Sequence, residues 1–251
     1  MFPRMSLPLN VDSRGTGGTP VLFVHSFAGD VTHWSAQLEH LASTRRVVAF
    51  DLSGHGKSPG AVGQYSIREL AKDVADVADA QALEQFVLVG HSAGALIATE
   101  YAAAHPRRVK ALGLIDAPPA PGAMPADQVQ QIRQSLARDP YGTVEQFWKQ
   151  GAFTDARAEV QDKLLAALRR LARVTVVELT EASLNYDATG PLRNFRGTRF
   201  AIHTPLNDAP LSLHNAVPDI AHTSIKGTGH WIQLDKPTEF NQVLDIFLRG
   251  L

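Results

Sequence analysis

The feature that most constrains the fold is an alternation of two patterns. Short apolar runs rich in Val, Ile, Leu and Phe, each bounded by turn residues, recur at 21–25, 46–51, 86–91, 109–116, 198–204 and 221–226. Such runs suit strands buried on both faces of a parallel sheet. Between them lie stretches of helical period. In 66–82, Ile67, Leu70, Val74 and Val77 recur at three and four residues, and the pattern of 92–104 stops ahead of Pro106. Strand and helix in turn predict an α/β fold, with a mostly parallel central sheet flanked by helices.

The alternation breaks after Asp116. A Pro/Gly/Ala-rich stretch at 117–125 opens a region with no strand pattern until about residue 198. Within it Val129, Ile132 and Leu136 form one apolar stripe, and Val160, Leu164, Leu168 and Leu171 another, both helical in period. We expect three or four short helices forming a cap subdomain over 121–189, inserted into a core made of 1–120 and 190–251. An ordinary helical hairpin beside the sheet is the alternative. Only the Pro121-Gly122 region reads as a linker, and no repeat is visible.

A chain of 251 residues is long enough for one such domain with a small insertion. Its 44% hydrophobic and 20% charged residues are those of a soluble globular protein, and no run approaches the ~18 apolar residues of a membrane helix. The 24 basic and 25 acidic residues nearly cancel, which gives no broad electrostatic reason to bind nucleic acid or an anionic membrane. A small neutral or weakly charged molecule is the expected partner; nothing sets an oligomeric state. Without cysteine the chain can form no disulfide, thiolate metal site or Cys nucleophile. The residues Met1-Phe2-Pro3-Arg4-Met5-Ser6-Leu7-Pro8 lack the apolar run of a secretory signal, so a cytoplasmic location is expected.

Gly90-His91-Ser92-Ala93-Gly94 matches G-x-S-x-G, a pattern weak by itself. Its context makes it specific. It follows the strand-like run Phe86-Val87-Leu88-Val89 and opens a helical stretch, the strand-turn-helix setting of a nucleophile elbow. A sharp turn there would lift the Ser92 hydroxyl clear of the sheet, and the following helix would point its positive end at the reaction site. The bland alternative is a glycine-rich turn with an incidental serine.

A serine hydroxyl needs an adjacent base at neutral pH. Of ten histidines, His230 fits best, because Gly227-Thr228-Gly229-His230-Trp231 follows the last strand-like run and its glycines permit a tight loop. The alternative is a surface-loop histidine. His25, His91 and His203 fall at strand ends and read as structural or pocket-lining. His33, His40, His105, His214 and His222 have no motif context, and no metal-ligand cluster, P-loop or dinucleotide fingerprint is present in the sequence.

With these pieces in view, the chain resembles the α/β-hydrolase superfamily over about 8–120 and 190–251. Besides the elbow, the resemblance rests on His25-Ser26-Phe27-Ala28-Gly29, on Asp51-Leu52-Ser53-Gly54-His55-Gly56-Lys57-Ser58 and on the Gly229-His230 loop. It implies the order Ser, then Asp or Glu, then His. It further implies an oxyanion hole from the backbone N–H groups of Phe27 and Ala93, and a structural role for the turn at 51–58. The family usually has Gly where this chain has Ser26, which either adds a polar contact to the pocket or fills space. Ser26, Phe27 and Trp231 are the expected substrate-binding residues, with Phe147, Trp148 and Phe153 as further pocket candidates or simply core residues.

The acid should lie on a loop after a strand, close to His230. Asp208, in Thr204-Pro205-Leu206-Asn207-Asp208-Ala209-Pro210, stands where the family usually carries it and is the first choice. The stretch from there to the last strand is short for the customary intervening helix. Asp116, at the end of Leu112-Gly113-Leu114-Ile115, is the alternative, since some relatives place the acid there. Ser92 rather than Asp in the elbow argues against the haloalkane dehalogenase and epoxide hydrolase branches. The expected activity is that of a carboxylesterase: hydrolysis of small, largely apolar esters through an acyl-enzyme, with no cofactor and no metal. C–C bond hydrolysis of ring-fission products, suggested by Gly229-His230-Trp231-Ile232-Gln233 and Glu239-Phe240-Asn241, is an alternative. So are perhydrolase, lactonase and acyltransferase chemistry on the same triad, and a ligand receptor on this fold.

Overall fold

A computed structural model of the chain describes residues 8–60 and 65–251. Seven strands form one sheet: β1 (Val11–Arg14), β2 (Val21–Val24), β3 (Val47–Phe50), β4 (Phe86–His91), β5 (Val109–Ile115), β6 (Thr198–His203) and β7 (Ala221–Ser224). Their order is β1-β3-β2-β4-β5-β6-β7, with β1 antiparallel to β3 and every other pair parallel. All six apolar runs of the sequence are strands. The seventh, β1, is the exception, because its Val-Asp-Ser-Arg is a partly exposed edge segment without an apolar run. β2, β3 and β4 are buried throughout, as strands covered on both faces must be.

The helices are α1 (Ser35–Leu41), α2 (Ile67–Ala80), α3 (Ala93–Ala104), α4 (Ala126–Arg138), α5 (Pro140–Phe147), α6 (Ala158–Arg170), α7 (Arg173–Asn185), α8 (Thr189–Asn194), α9 (Leu213–Ala216), α10 (Ile232–Asp235) and α11 (Pro237–Leu248). A single wider π turn, Trp148–Ala152, follows α5. The Ser66 hydroxyl caps α2 by accepting the Glu69 N–H at 3.1 Å, so the helix starts where the apolar period begins. Ile67, Leu70, Val74 and Val77 of α2 pack with α3 and α8 residues on one face of the sheet, while Leu38 of α1 and Phe240 and Leu244 of α11 pack on the other.

Helices α4 to α7 stand between β5 and β6 and build their own cluster. Leu136, Val144, Trp148, Phe153, Leu164, Leu168 and Val176 pack there against Trp231 and Ala28 of the core. Of the two stripes read from the sequence, the one at Val160, Leu164, Leu168 and Leu171 lies wholly in this cluster, and the other contributes Leu136. α9 occupies the stretch after Asp208, where the sequence left little room for a helix; it is four residues long. Among the described residues no helix is long and apolar enough to cross a membrane. Residues 1–7 of the segment considered for a secretory signal lie outside the described residues.

Three histidines are sealed under the β2 and β3 ends. His25 accepts the Leu52 N–H on Nε2 at 2.9 Å and donates from Nδ1 to the Ser26 carbonyl at 2.8 Å. Burial lowers His25 to about 4, and burial followed by neighbouring cationic groups lowers His33 and His55 to about 3 each, from 6.5. The unfolded chain therefore binds protons between pH 6.5 and roughly 4 that the folded chain refuses, and stability is lost as pH falls through that window. The cost is about 1.4 kcal/mol per pH unit for each histidine, so the three together are expected to erode stability by about 4 kcal/mol per unit. Urea midpoints measured from neutral pH to pH 4 check this; a flat profile down to pH 5 would contradict it.

Candidate active site

The site forms at the carboxyl ends of the central strands, where open α/β sheets place their ligands. Ser92 sits between β4 and α3 at φ 54° and ψ −123°. The strained conformation is held from both sides: its N–H donates to the Ile115 carbonyl at 2.9 Å, and its carbonyl accepts the Ala95 N–H at 2.8 Å. The two glycines of the motif are required by close approach. A Cβ at Gly90 would collide with the Gly94 carbonyl, and one at Gly94 with the carbonyls of Val24 and His25. Of six non-glycine residues with positive φ among those described, Ser92 and Asp116 both line this site, where such strain tends to concentrate.

His230 and Asp116 meet directly. The Asp116 carboxylate oxygen Oδ2 lies 2.6 Å from His230 Nδ1. A carboxylate only accepts, so Nδ1 carries the proton and Nε2 is left as the basic nitrogen. Asp116 Oδ1 accepts the Thr204 N–H at 2.8 Å and the Thr204 hydroxyl at 3.1 Å, and Asn207 Nδ2 approaches it at 3.3 Å. Asp116 is buried, at 3% exposure, and its charge is compensated by these donors.

The first-choice acid, Asp208, is elsewhere. Its side chain is 47% exposed and binds Asn215 Nδ2 at 2.9 Å and His214 Nε2 at 3.3 Å. Those two contacts, Asn215 before His214, hold its carboxyl below the usual range. The correction has a topological cause. The loop after β6 turns its Thr204 and Asn207 toward the end of β5, so it supplies donors to the Asp116 carboxylate rather than a carboxylate of its own.

The His230 loop is pinned by the inserted helices as well as by the core. The His230 N–H donates to the Ala152 carbonyl at 2.8 Å, in the π turn after α5. Asp235 Oδ2 accepts the Gly229 N–H at 2.9 Å, while its Oδ1 accepts the Arg157 N–H at 2.9 Å. His91, beside Ser92, donates from Nε2 to the His230 carbonyl at 2.9 Å and lies 3.2 Å from Gln233 Nε2 through Nδ1. Burial, then the adjacent His230, holds His91 well below its ordinary value, so it stays a neutral strut.

Phe27 and Ala93 both border a cavity of about 590 Å³ that Ser92, Asp116 and His230 also line. Ala93 is the first residue of α3, where N–H groups have no acceptor within the helix. Its walls come largely from the inserted helices and are apolar: Val129, Ile132, Phe147, Trp148 and Leu184, with Leu206 from the β6 loop. The turn at 51–58 is structural in geometry, since Asp51 accepts the N–H groups of Val31 and Lys57.

Two of the three expected substrate-binding residues do not reach the cavity. Ser26 and Trp231 are each 1% exposed and bond to one another, Trp231 Nε1–H donating to Ser26 Oγ at 3.0 Å. Phe153, a further pocket candidate, is buried against Trp231 with ring centroids 5.6 Å apart. Ser26 thus does what glycine could not: it ties the loop bearing Phe27 to the residue after His230. Ser26→Ala removes the acceptor and leaves a buried indole N–H unpaired, which is expected to cost about 1–3 kcal/mol. The urea midpoint of the variant measures it, and an unchanged midpoint would show the bond to be dispensable.

One cluster escaped the sequence. His203, His214 and His222 converge beyond β6, with ligand-capable atoms within 4.8 Å of one another. Spacings of eleven and eight residues match no metal motif, and only the β6–α9–β7 crossover brings them together.

The fold is that of the α/β hydrolases. The family model described as alpha/beta hydrolase fold matches residues 19–237, and the chain belongs to that family. It is 37% identical over 99 residues, 39% of this chain and 37% of the relative, to a putative carbamate hydrolase RutD of Azorhizobium caulinodans. It is 32% identical over 142 residues, 54% of this chain and 53% of the relative, to a pimeloyl-[acyl-carrier protein] methyl ester esterase of Pectobacterium carotovorum. The chain thus spans only about a third to a half of the length of these curated relatives. Among solved structures, Est816, described as an N-acyl homoserine lactone degrading enzyme, superposes with a TM-score of 0.83 at 25% identity, covering 96% of this chain and 97% of its own. Both curated relatives carry the names of hydrolytic enzymes, and what this chain shares with them is the α/β-hydrolase family.

Proposed function

We propose that the chain is a serine hydrolase that cleaves carboxylic esters of small, largely apolar substrates through an acyl-enzyme. The observation that carries the reading is the convergence on one apolar cavity of Ser92, at a strained strand-to-helix turn, and His230, whose Nδ1 is held 2.6 Å from the buried Asp116 carboxylate. In the reaction Ser92 Oγ attacks the ester carbonyl carbon while His230 Nε2 takes its proton. The N–H groups of Phe27 and Ala93 receive the developing oxyanion. His230 returns the proton to the leaving alkoxide, and the acyl group remains on Ser92. Water, deprotonated by His230, then attacks that acyl group, the bond to Ser92 Oγ breaks as His230 returns the proton to Oγ, and the free acid departs. Each oxyanion donor contributes roughly 100 to 1000-fold, because it meets charge present only in the transition state. Asp116, accepting from His230 Nδ1, stabilises the imidazolium.

The helices inserted at 121–189 act in this proposal as the cap, and the substrate is chosen by the apolar walls they contribute. No cofactor or metal enters the reaction, and a cytoplasmic location with a small-molecule partner completes the reading. A second reading, opening of a lactone that carries an acyl chain, is favoured by Est816, because the same acyl-enzyme chemistry and the same apolar walls serve it. Purified protein tested on aryl esters of rising acyl length, acylated lactones, carbamates and vinylogous diketones distinguishes the substrate classes. Ester or lactone turnover that disappears in Ser92→Ala supports the proposal. Turnover of the diketones alone would move it to C–C hydrolysis, and tight binding without turnover would make the chain a receptor.

A further inference from the structure

We infer that His203, His214 and His222 form a binding site for a zinc-type divalent cation, separate from the cavity that holds Ser92. The fold assembles it from three elements. In the parallel β6–β7 pair Ala201 stands opposite His222 and His203 opposite Ser224, so His203 and His222 project from one face two positions apart. His214 comes from α9, in the crossover between those strands. His203 Nε2 and His222 Nδ1 are 3.2 Å apart, and His214 stacks on His203 with centroids 4.1 Å apart and planes 13° from parallel.

These distances suit a metal. With Zn–N bonds of about 2.0–2.1 Å, tetrahedral ligands lie about 3.4 Å from one another. The His203–His222 edge already has that length, and His214 needs to tilt off its stack to complete a face. The tautomers are also prepared. His203 Nδ1 donates to the Thr204 carbonyl at 3.1 Å, which leaves the Nε2 lone pair facing His222. His214 Nε2 is engaged by the Asp208 carboxylate at 3.3 Å, which leaves Nδ1 to bind. A carbonyl or carboxylate on the far ring nitrogen is how metal-bound histidines are oriented. Asp208 thereby has a task that accounts for its place on this loop without the triad.

His203 and His214 are buried and His222 is exposed, which gives a cation an entry at the sheet edge formed by β7. None of the three lines the cavity beside Ser92. Three imidazoles leave a fourth position for solvent, and nitrogen-only donation favours Zn²⁺ over Mg²⁺ or Ca²⁺.

Titration of the full chain with Zn²⁺ alone, in competition with a chromogenic chelator at about pH 8 where imidazoles are neutral, tests this. Wild type should bind one equivalent, and His222→Gln should weaken it about 100-fold, by analogy with the sensitivity of metal sites to lost partners. His40→Gln removes an exposed histidine paired with Asp245, outside the cluster, and should bind as wild type does. Because His222 is exposed, its variant is expected to fold, which circular dichroism verifies. Co²⁺ in place of Zn²⁺ should give wild type the intense visible bands of a tetrahedral site, absent from His222→Gln. Equal binding by wild type and His222→Gln, or no stoichiometric binding by wild type, would overturn the site. Neither result depends on a substrate, so the hydrolase proposal stands or falls separately.

Discussion

Ser92→Ala is expected to lower kcat on its best ester by about a million-fold if removing the nucleophile disables the serine, base and acid together, as such units do. KM should change little, because the cavity walls from the inserted helices are untouched. The protein should stay folded: alanine already occupies a positive φ at Ala28, and the bonds holding Ser92 run through its backbone N–H and carbonyl. A residual rate roughly 1000-fold or more above water should persist, from the oxyanion donors and from binding alone. Adding His230→Ala to the first change should cost almost nothing further, whereas independent contributions would multiply. Steady-state kinetics of the two single variants and the double variant, each checked by thermal unfolding, measure all of this. Retention of a tenth of wild-type turnover in Ser92→Ala would remove the serine from the mechanism.

Asp116→Asn should cost about 10⁴-fold in kcat, because the amide can present a donor to His230 Nδ1 and force the tautomer in which Nε2 holds the proton. The substitution is nearly isosteric and keeps an oxygen able to accept from Thr204, so stability should fall far less than activity. Asp208→Asn is the decisive comparison. That carboxylate touches only His214 and Asn215 at the surface, so turnover should remain within about twofold, as for surface changes away from the chemistry. Parallel kinetics on the two variants rank the acids; the reverse order would return Asp208 to the triad.

The reason Asp208 looked right in the sequence is instructive. Linear order places a carboxylate after a strand, and both Asp116 and Asp208 satisfy that. What separates them is where the β6 loop turns. Its Thr204 and Asn207 face the carboxylate at the end of β5, and no spacing rule encodes that direction. Strands β2 to β5 were legible because they are almost wholly buried and so read as apolar runs, whereas β1 was not, being a four-residue edge segment. The turn at Ser92 and the loop at His230 were legible because tight turns impose glycines at fixed offsets. Gly90 and Gly94 show the cause as steric, since each abuts backbone carbonyls.

Ser26 and Trp231 were legible as a departure from the family pattern but not as a pair. Their hydrogen bond joins residues 205 positions apart in the chain, and the indole could as readily have faced the cavity. The helical periods at 129–136 and 160–171 announced helices without saying which flank would border the substrate. Val129 and Ile132 reach the cavity while Leu136 and Leu164 fill the core of the inserted helices. The histidine cluster lies at the same limit: a strand-end histidine and two without motif context become neighbours only when a strand, a short helix and an edge strand close on one another.

The central claim is that Ser92 forms a covalent acyl bond, and reaction with an aryl alkylphosphonate ester followed by intact and peptide mass spectrometry tests it most directly. The phosphonyl group stays on the attacking oxygen and cannot be cleared as an acyl group is. A single adduct per chain is expected, located on the peptide containing Gly90-His91-Ser92-Ala93-Gly94, lost in Ser92→Ala and slowed strongly in His230→Ala and Asp116→Asn. An adduct on another residue, or ester turnover in full while Ser92 remains unlabelled, would contradict it.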